Sequence, residues 1–190
     1  RLPLTIEGGV DCQNGAMSSK ARVFANLVIA SNGATTLRGS SKGLSSPEDR
    51  RRFHELREEA TALVIGGKTF RSDPYQSTPK PLFVSSRSAT PEMRTKNPDA
   101  TFVSLSPSDL VKQVASQNGA LILVEGGLEF IKELVADRVI DKFFLTRTSV
   151  IGDSAAIFEE ELLNDFQLIS TESSDGETFE VWERISRSRS

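Results

Sequence analysis

Two short runs in this chain set an apolar stretch against paired glycines: Val64-Ile65-Gly66-Gly67-Lys68-Thr69 and Leu123-Val124-Glu125-Gly126-Gly127-Leu128. A glycine lets an anion approach the backbone, and the free N–H groups of a helix start attract its charge. The chemistry implied is the holding of phosphate. One such pair is more often only a tight turn, but two in a chain of 190 residues shift the balance towards a nucleotide. Neither run contains G-x-G-x-x-G or a Walker sequence, so the usual Rossmann and P-loop signatures are missing and another nucleotide fold is required.

Other chemistry-bearing residues are sparse. A single cysteine, Cys12, and a single histidine, His54, exclude a disulfide framework and the usual zinc sites; no Asp/Glu run has calcium-loop spacing, so no metal is expected. His54 has no Ser/Asp pattern beside it that would make a triad, and it reads as a partly exposed packing residue. Arg50, Arg51 and Arg52 are consecutive, so on a helix they point in different directions and read as a solvated face.

The elements that must position the glycine pairs follow from periodicity. Val23 to Ala30 is an apolar, β-branched run closed by Asn32-Gly33, a buried first strand. Ser46-Pro47-Glu48-Asp49 supplies an N-cap, a first-turn proline and acids for a helix to about Glu59, with Phe53, Leu56 and Ala60 as its apolar stripe and Arg57 among the residues on other faces. Further strands are expected at Ala62 to Ile65, Pro81 to Ser85, Ala100 to Leu105, Ala120 to Val124 and Asp141 to Thr148. Between them, Gly66-Gly67-Lys68-Thr69 turns the strand into a short helical segment ending near Asp73-Pro74, Ser106 or Ser108 caps a helix, and a helix with Leu128, Ile131, Leu134 and Val135 follows Gly126-Gly127. A polar, proline-bearing connection joins the third and fourth strands, and Glu159-Glu160-Glu161 opens a short helix or turn facing solvent. Phe166 to Thr171 and Thr178 to Ile185 pair across Ser173-Ser174-Asp175-Gly176. The alternation predicts an α/β domain with a mostly parallel central sheet, flanking helices and a C-terminal antiparallel hairpin.

Composition fits one domain. A hydrophobic share of 37% against 26% charged supports a core and argues against disorder. A net charge of -3 offers no positive field for nucleic acid, and no segment approaches a transmembrane length or resembles a signal-peptide core, so no nucleic-acid or membrane partner and a cytoplasmic location are expected. Residues 1–21 read as an arm, 22–186 as the domain and 187–190 as a tail.

Several pieces, taken in order, are similar to a known family. Asp49-Arg50, Phe53-His54-Glu55-Leu56-Arg57, Ala62-Leu63-Val64-Ile65-Gly66-Gly67-Lys68-Thr69, Ser72-Asp73-Pro74, Leu123-Val124-Glu125-Gly126-Gly127, Val139-Ile140-Asp141-Lys142 and Val150-Ile151-Gly152 resemble the reductase domain of the bifunctional deaminase-reductase of riboflavin biosynthesis. The resemblance implies a dihydrofolate-reductase-like fold, a homodimer, and NADPH-dependent reduction of a ribosylaminopyrimidine 5'-phosphate, a phosphorylated small-molecule pyrimidine, to its ribitylamino product. It implies cofactor contacts at Gly43, Gly66, Gly67, Thr69, Asp73, Gly126, Gly127 and Leu128, with Lys68 and Ser85-Ser86-Arg87 near the adenosine and its 2'-phosphate. It places substrate contacts at Asn32, Ser41, Arg57 and Glu125, Arg57 being suited to phosphate.

The chain departs from the family in three places. The family usually has Ser-Leu-Asp-Gly where this chain has Ala30-Ser31-Asn32-Gly33; the stretch Tyr75 to Lys80 lacks the basic and polar residues usual after Asp-Pro; and the deaminase zinc signatures are absent. Two other readings stay open: a dihydrofolate-reductase-like NADPH reductase for another acceptor, although the Leu-Pro-Trp segment of dihydrofolate reductase is missing, and a non-catalytic nucleotide-binding module, with which the amide of Asn32 is consistent.

Overall fold

The computed structural model describes residues 21–157 and 159–186; Cys12, the expected arm short of its last residue, and the expected tail lie outside them. Eight strands form one sheet: β1 (Arg22–Ile29), β2 (Ala62–Gly66), β3 (Leu82–Ser85), β4 (Thr101–Val103), β5 (Leu121–Val124), β6 (Lys142–Arg147), β7 (Phe166–Ser174) and β8 (Glu177–Arg184). The order is β4-β3-β2-β5-β1-β6-β8-β7. All pairings are parallel from β4 to β6, and the last two are antiparallel. This is the expected mixed α/β architecture.

The apolar runs are unbroken because the central strands are covered on both faces. Val23, Ala25, Leu27 and Ile29 of β1 and Val64 of β2 pack into one core with Leu110, Val111 and Val114 of α4 (Pro107–Asn118) and Ile131, Leu134 and Val135 of α5 (Leu128–Ala136). Phe24, Leu63, Ile65 and Leu123 point the other way, into a second core with Phe70, Tyr75 and Met93. β7 differs, being exposed from Gln167 to Ser173, and with β8 it makes a longer ribbon than the pattern predicts.

α1 (Pro47–Glu59) starts as expected, with Ser46 accepting from the Asp49 N–H at 3.0 Å. Its packing face corrects the expected stripe. Ala60 is buried, but Phe53 and Leu56 are only half-buried, and the buried residues of the helix itself are Asp49 and Arg57. α2 (Gly67–Ser72) follows β2 directly. The polar connection after β3 folds into a helix that periodicity does not predict, α3 (Pro91–Lys96), capped by Thr90 and anchored by buried Met93. It fixes the chain after α2: Lys96 Nζ donates to the Asp73 carbonyl at 2.7 Å, and buried Asn97 donates to the Tyr75 carbonyl at 3.0 Å. The short α6 (Glu159–Leu163) does not merely face solvent: Glu159 pairs with Arg147, and Leu162 is buried.

Candidate functional site

The chain runs outward from β1 to the β4 edge and returns to insert β5 between β1 and β2, so the strand order reverses there. Open α/β sheets bind ligands beyond the carboxyl ends of the strands at such a point. Val64 and Val124 are register partners, and the Gly66 N–H donates to the Gly126 carbonyl at 3.2 Å. The two diglycine corners therefore stand side by side. The Gly126–Gly127 peptide is cis, and Gly126 has φ +109, a conformation that suits a residue without a Cβ. A Cβ on Gly127 would lie 2.7 Å from Thr69 Oγ1, so absence of a side chain lets α2 and α5 start against each other.

The starts of α1 to α5 fall into two kinds. α1, α3 and α4 begin under hydroxyls of Ser46, Thr90 and Ser106 that accept first-turn N–H groups. α2 and α5 begin on Gly66 and Gly127, with no side-chain cap hydrogen bond. Their first-turn donors lack a side-chain acceptor at the one place where strand order reverses, which fits an anionic dinucleotide bridge. Lys68 and Arg87 are exposed near the paired ends of β2 and β3 and form no ion pair with a described residue. Their charge fits a 2'-phosphate. Ser86 lies against Gly67, whereas the Ser85 hydroxyl donates to the Leu105 carbonyl at 2.9 Å. Leu128 opens α5, and Asp73 closes α2 while accepting from Ser40.

Beside these corners lies a cavity of about 240 Å³. Its walls include Leu27, Val28, Phe53, Tyr75 and Pro74, and its polar groups come from Ser41, Lys42, Asp49, Arg50, Arg57 and Asp73. Glu125, one residue before Gly126, links the cavity to the glycine corner.

Arg57 and Glu125 are both brought to this cavity, but they bind each other. Arg57 Nε and Nη2 donate to Glu125 Oε1 and Oε2, each at 2.7 Å, and the Tyr75 hydroxyl donates to Oε2 at 2.9 Å. The Glu125 side chain is 0% exposed and that of Arg57 10%. The pair is a fixed floor, not a set of free hands. Arg51 and Arg52 are also engaged, with Glu48, Glu55 and Glu172. Arg50 and Lys42 line the cavity and pair with no carboxylate of a described residue, which makes them the cations open to an anion.

Other positions divide likewise. Ser41 lines the cavity; a Cβ on Gly43, in the same turn, would lie 3.1 Å from Leu37 Cβ. Asn32 stands apart: its Nδ2 donates to the Gly152 carbonyl at 2.9 Å and its Oδ1 accepts from the Gly152 N–H at 3.1 Å, clamping the loop after β1 to the loop after β6. It does not line the cavity. Sequence reasoning missed Asp49, Lys42 and Tyr75 as cavity residues and set Arg50 aside. Burial of an acid in the first turn of α1 was the one available signal, and it is visible only once the helix is docked. No group of three or more His, Cys, Asp or Glu among the described residues could hold a metal ion, and no described helix is long and apolar enough to cross a membrane.

An open, mostly parallel α/β sheet ending in an antiparallel pair, with a cavity at the carboxyl ends of its central strands, defines an α/β domain with a small-ligand site, the architecture that the family resemblance implies. The chain belongs to the RibD C-terminal domain family, whose model matches residues 23–179. Among solved structures it resembles a pyrimidine reductase-like protein from Corynebacterium diphtheriae, with a TM-score of 0.70 at 17% identity over 88% of this chain and 93% of that one. It also resembles a diaminohydroxyphosphoribosylaminopyrimidine deaminase/5-amino-6-(5-phosphoribosylamino)uracil reductase from Thermotoga maritima, with a TM-score of 0.67 at 15% identity over 87% of this chain and 57% of that one. At these identities the likeness is one of fold. No curated protein matches the chain.

Proposed function

We propose that the protein is an NADPH-dependent reductase acting on a ribosylaminopyrimidine 5'-phosphate. Membership of the RibD C-terminal domain family supports an oxidoreductase. The observation that carries the finer reading is the abutment of the two uncapped glycine corners, Gly66 N–H to Gly126 O at 3.2 Å, beside a cavity sized for a small acceptor. In this reading the first-turn amides of α5 and the Thr69 hydroxyl receive the pyrophosphate, and Lys68, Ser86 and Arg87 receive the 2'-phosphate.

NADPH, when bound, supplies a hydride to the carbon of the ring-opened sugar imine, whose nitrogen gains a proton as NADP+ forms. The chain's own residues bind and orient. Arg50 and Lys42 hold the 5'-phosphate of the acceptor, the role that the resemblance gives Arg57. Arg57 acts instead as a positioning residue, locking Glu125 and Tyr75 into a rigid wall under the acceptor. Phe53 and Tyr75 supply the apolar faces for a flat ring. The deciding experiment follows NADPH absorbance after addition of the ribosylaminopyrimidine phosphate in its amino and its deaminated form. Oxidation with either supports the reading; oxidation with neither overturns it.

A further inference from the structure

Lys96, the last residue of α3, donates from Nζ to the carbonyls of Phe70, of Arg71 at 3.4 Å and of Asp73 at 2.7 Å, and it forms no ion pair with a described residue. An ammonium has three donors, so all of them serve one short stretch of backbone. Phe70 and Arg71 belong to the last turn of α2, whose end carbonyls have no partner within the helix. A six-residue helix is too short to hold its own shape. A cation at its carboxyl end satisfies those carbonyls and opposes their partial negative charge.

The stretch so held joins two parts of the site. Asp73 closes α2, and Asp73, Pro74 and Tyr75 all line the cavity. The Asp73 carbonyl also accepts from the Tyr75 N–H at 3.0 Å, and the Asp73 carboxylate accepts from Ser40. Next to Lys96, buried Asn97 donates to the Tyr75 carbonyl. Both ends of this three-residue strap are therefore pinned from α3, a helix of which no residue lines the cavity. Near its start, the same α2 sets Thr69 against the Gly127 corner. A shift at one end of α2 would move Thr69 and the Tyr75 wall relative to each other, and a misplacement of about 1 Å that begins far from the chemistry can cost roughly a hundredfold in rate.

Resting on the proposed function, we infer that Lys96 is a positioning residue: from behind the site it holds α2 and the Asp73–Tyr75 strap so that cofactor and acceptor meet in a reactive geometry. It touches neither of them. The acceptor phosphate is held elsewhere, by Arg50 and Lys42, so loss of Lys96 lowers turnover far more than it weakens binding.

The test removes the charge with Lys96→Met and measures kcat, the acceptor KM and amide hydrogen exchange. In the variant kcat should fall by about tenfold or more while the acceptor KM stays within about threefold of the wild type. The Asp73 and Tyr75 amides should exchange about tenfold faster or more, while those of β1 and β5 stay protected. Lys96→Cys alkylated with 2-bromoethylamine, whose bromide the thiolate displaces, rebuilds an ammonium of lysine's reach and should recover most of both; wild type treated alike controls for Cys12. Arg94→Met, at an exposed position of the same helix, should alter neither reading. A Lys96→Met enzyme with wild-type kcat overturns the inference. So does a fall in kcat that the rebuilt ammonium does not reverse, or faster exchange throughout the sheet, which marks a general loss of stability. If the wild type oxidises NADPH with no pyrimidine phosphate, the proposed function falls and exchange decides the inference alone: a rise confined to residues 69–75 and reversed by the rebuilt ammonium sustains it, and unchanged exchange overturns it. Should Lys96→Met fail to fold, Lys96→Gln, which keeps N–H donors without the charge, is judged by the same outcomes.

Discussion

Arg57 and Glu125 lie 68 positions apart and meet in a two-pronged ion pair, with both nitrogen–oxygen distances at 2.7 Å. One comes from the last turn of α1 and the other from the end of β5, immediately before the glycine corner. The pair couples the helix that walls the cavity to the strand tip that would hold the cofactor. Arg57 also lies over the Phe53 ring, 4.3 Å from its centroid, so the same guanidinium orients an aromatic wall residue.

Removing one partner of this pair should show first in stability. Arg57→Ala leaves the fully buried Glu125 carboxylate with only the Tyr75 hydroxyl, a change of the kind that costs about 3–5 kcal/mol. Replacing both partners by apolar residues, Arg57→Met with Glu125→Leu, removes the stranded charge and should recover more than half of the loss. Urea unfolding followed by the fluorescence of Trp182, the lone tryptophan, measures both. A single variant as stable as the wild type would contradict the pairing.

The lone tyrosine of the chain, Tyr75, should titrate abnormally. Burial, and then the negative charge of Glu125, push its hydroxyl well above the ordinary value of 10.0. In the unfolded chain the phenol ionises near that ordinary value, whereas in the folded protein it keeps its proton. The folded state therefore binds more protons above pH 10, and its stability is full below that pH and falls as pH rises towards the folded value. Phenolate absorbance should stay absent from the native protein at pH values where it is complete in urea. Tyr75→Phe should flatten the alkaline fall in stability. Native phenolate appearing near pH 10 would refute the buried Tyr75–Glu125 contact.

The fold was largely legible because the central strands are buried on both faces and so read as unbroken apolar runs. Ser46 and Ser106 announced α1 and α4 through local chemistry that needs no tertiary partner. α3 was not legible because it buries one residue, Met93, and has no stripe to detect, although Thr90-Pro91-Glu92 is a helix-start signal. The site was half legible. Glycine corners are local and could be found, but that Arg57 turns inward depends on a carboxylate from another strand, and a charged residue on a polar helix face otherwise reads as solvated. Arg50, read as surface, lines the cavity for the converse reason: three consecutive arginines look alike until Glu48, Glu55 and Glu172 are placed around two of them.

Under the proposed function, Lys68 and Arg87 set the choice between the two nicotinamide cofactors. Both are exposed and lie beyond neighbouring strand ends, with no ion pair to a described residue. Lys68→Ala and Arg87→Ala should each weaken NADPH binding about tenfold, the worth of one charged phosphate contact, and leave NADH binding nearly unchanged. The double variant should bring the two affinities close together. Equilibrium titration of cofactor fluorescence measures the ratio. A wild type that binds NADPH and NADH equally would remove both residues from the 2'-phosphate.

Placing at position 32 the carboxylate that the family resemblance leads one to expect there should weaken the fold without touching the cavity. Asn32 uses both ends of its amide on Gly152, donating from Nδ2 and accepting at Oδ1. An aspartate keeps the acceptor but turns the donor into a second oxygen facing the Gly152 carbonyl. The lost hydrogen bond and the new repulsion occur at an exposed site, so Asn32→Asp should cost about 1 kcal/mol. Because that carboxylate would be charged only above its own titration range, the deficit should shrink as pH falls through the ordinary aspartate range. Asn32→Ala gives up the clamp without the repulsion and should be less affected by pH. Thermal melts of the two variants between neutral and acidic pH separate these terms, and steady-state rates with the preferred acceptor should be close to wild type in both. A large change in acceptor KM for Asn32→Asp at unchanged stability would instead place Asn32 against the substrate.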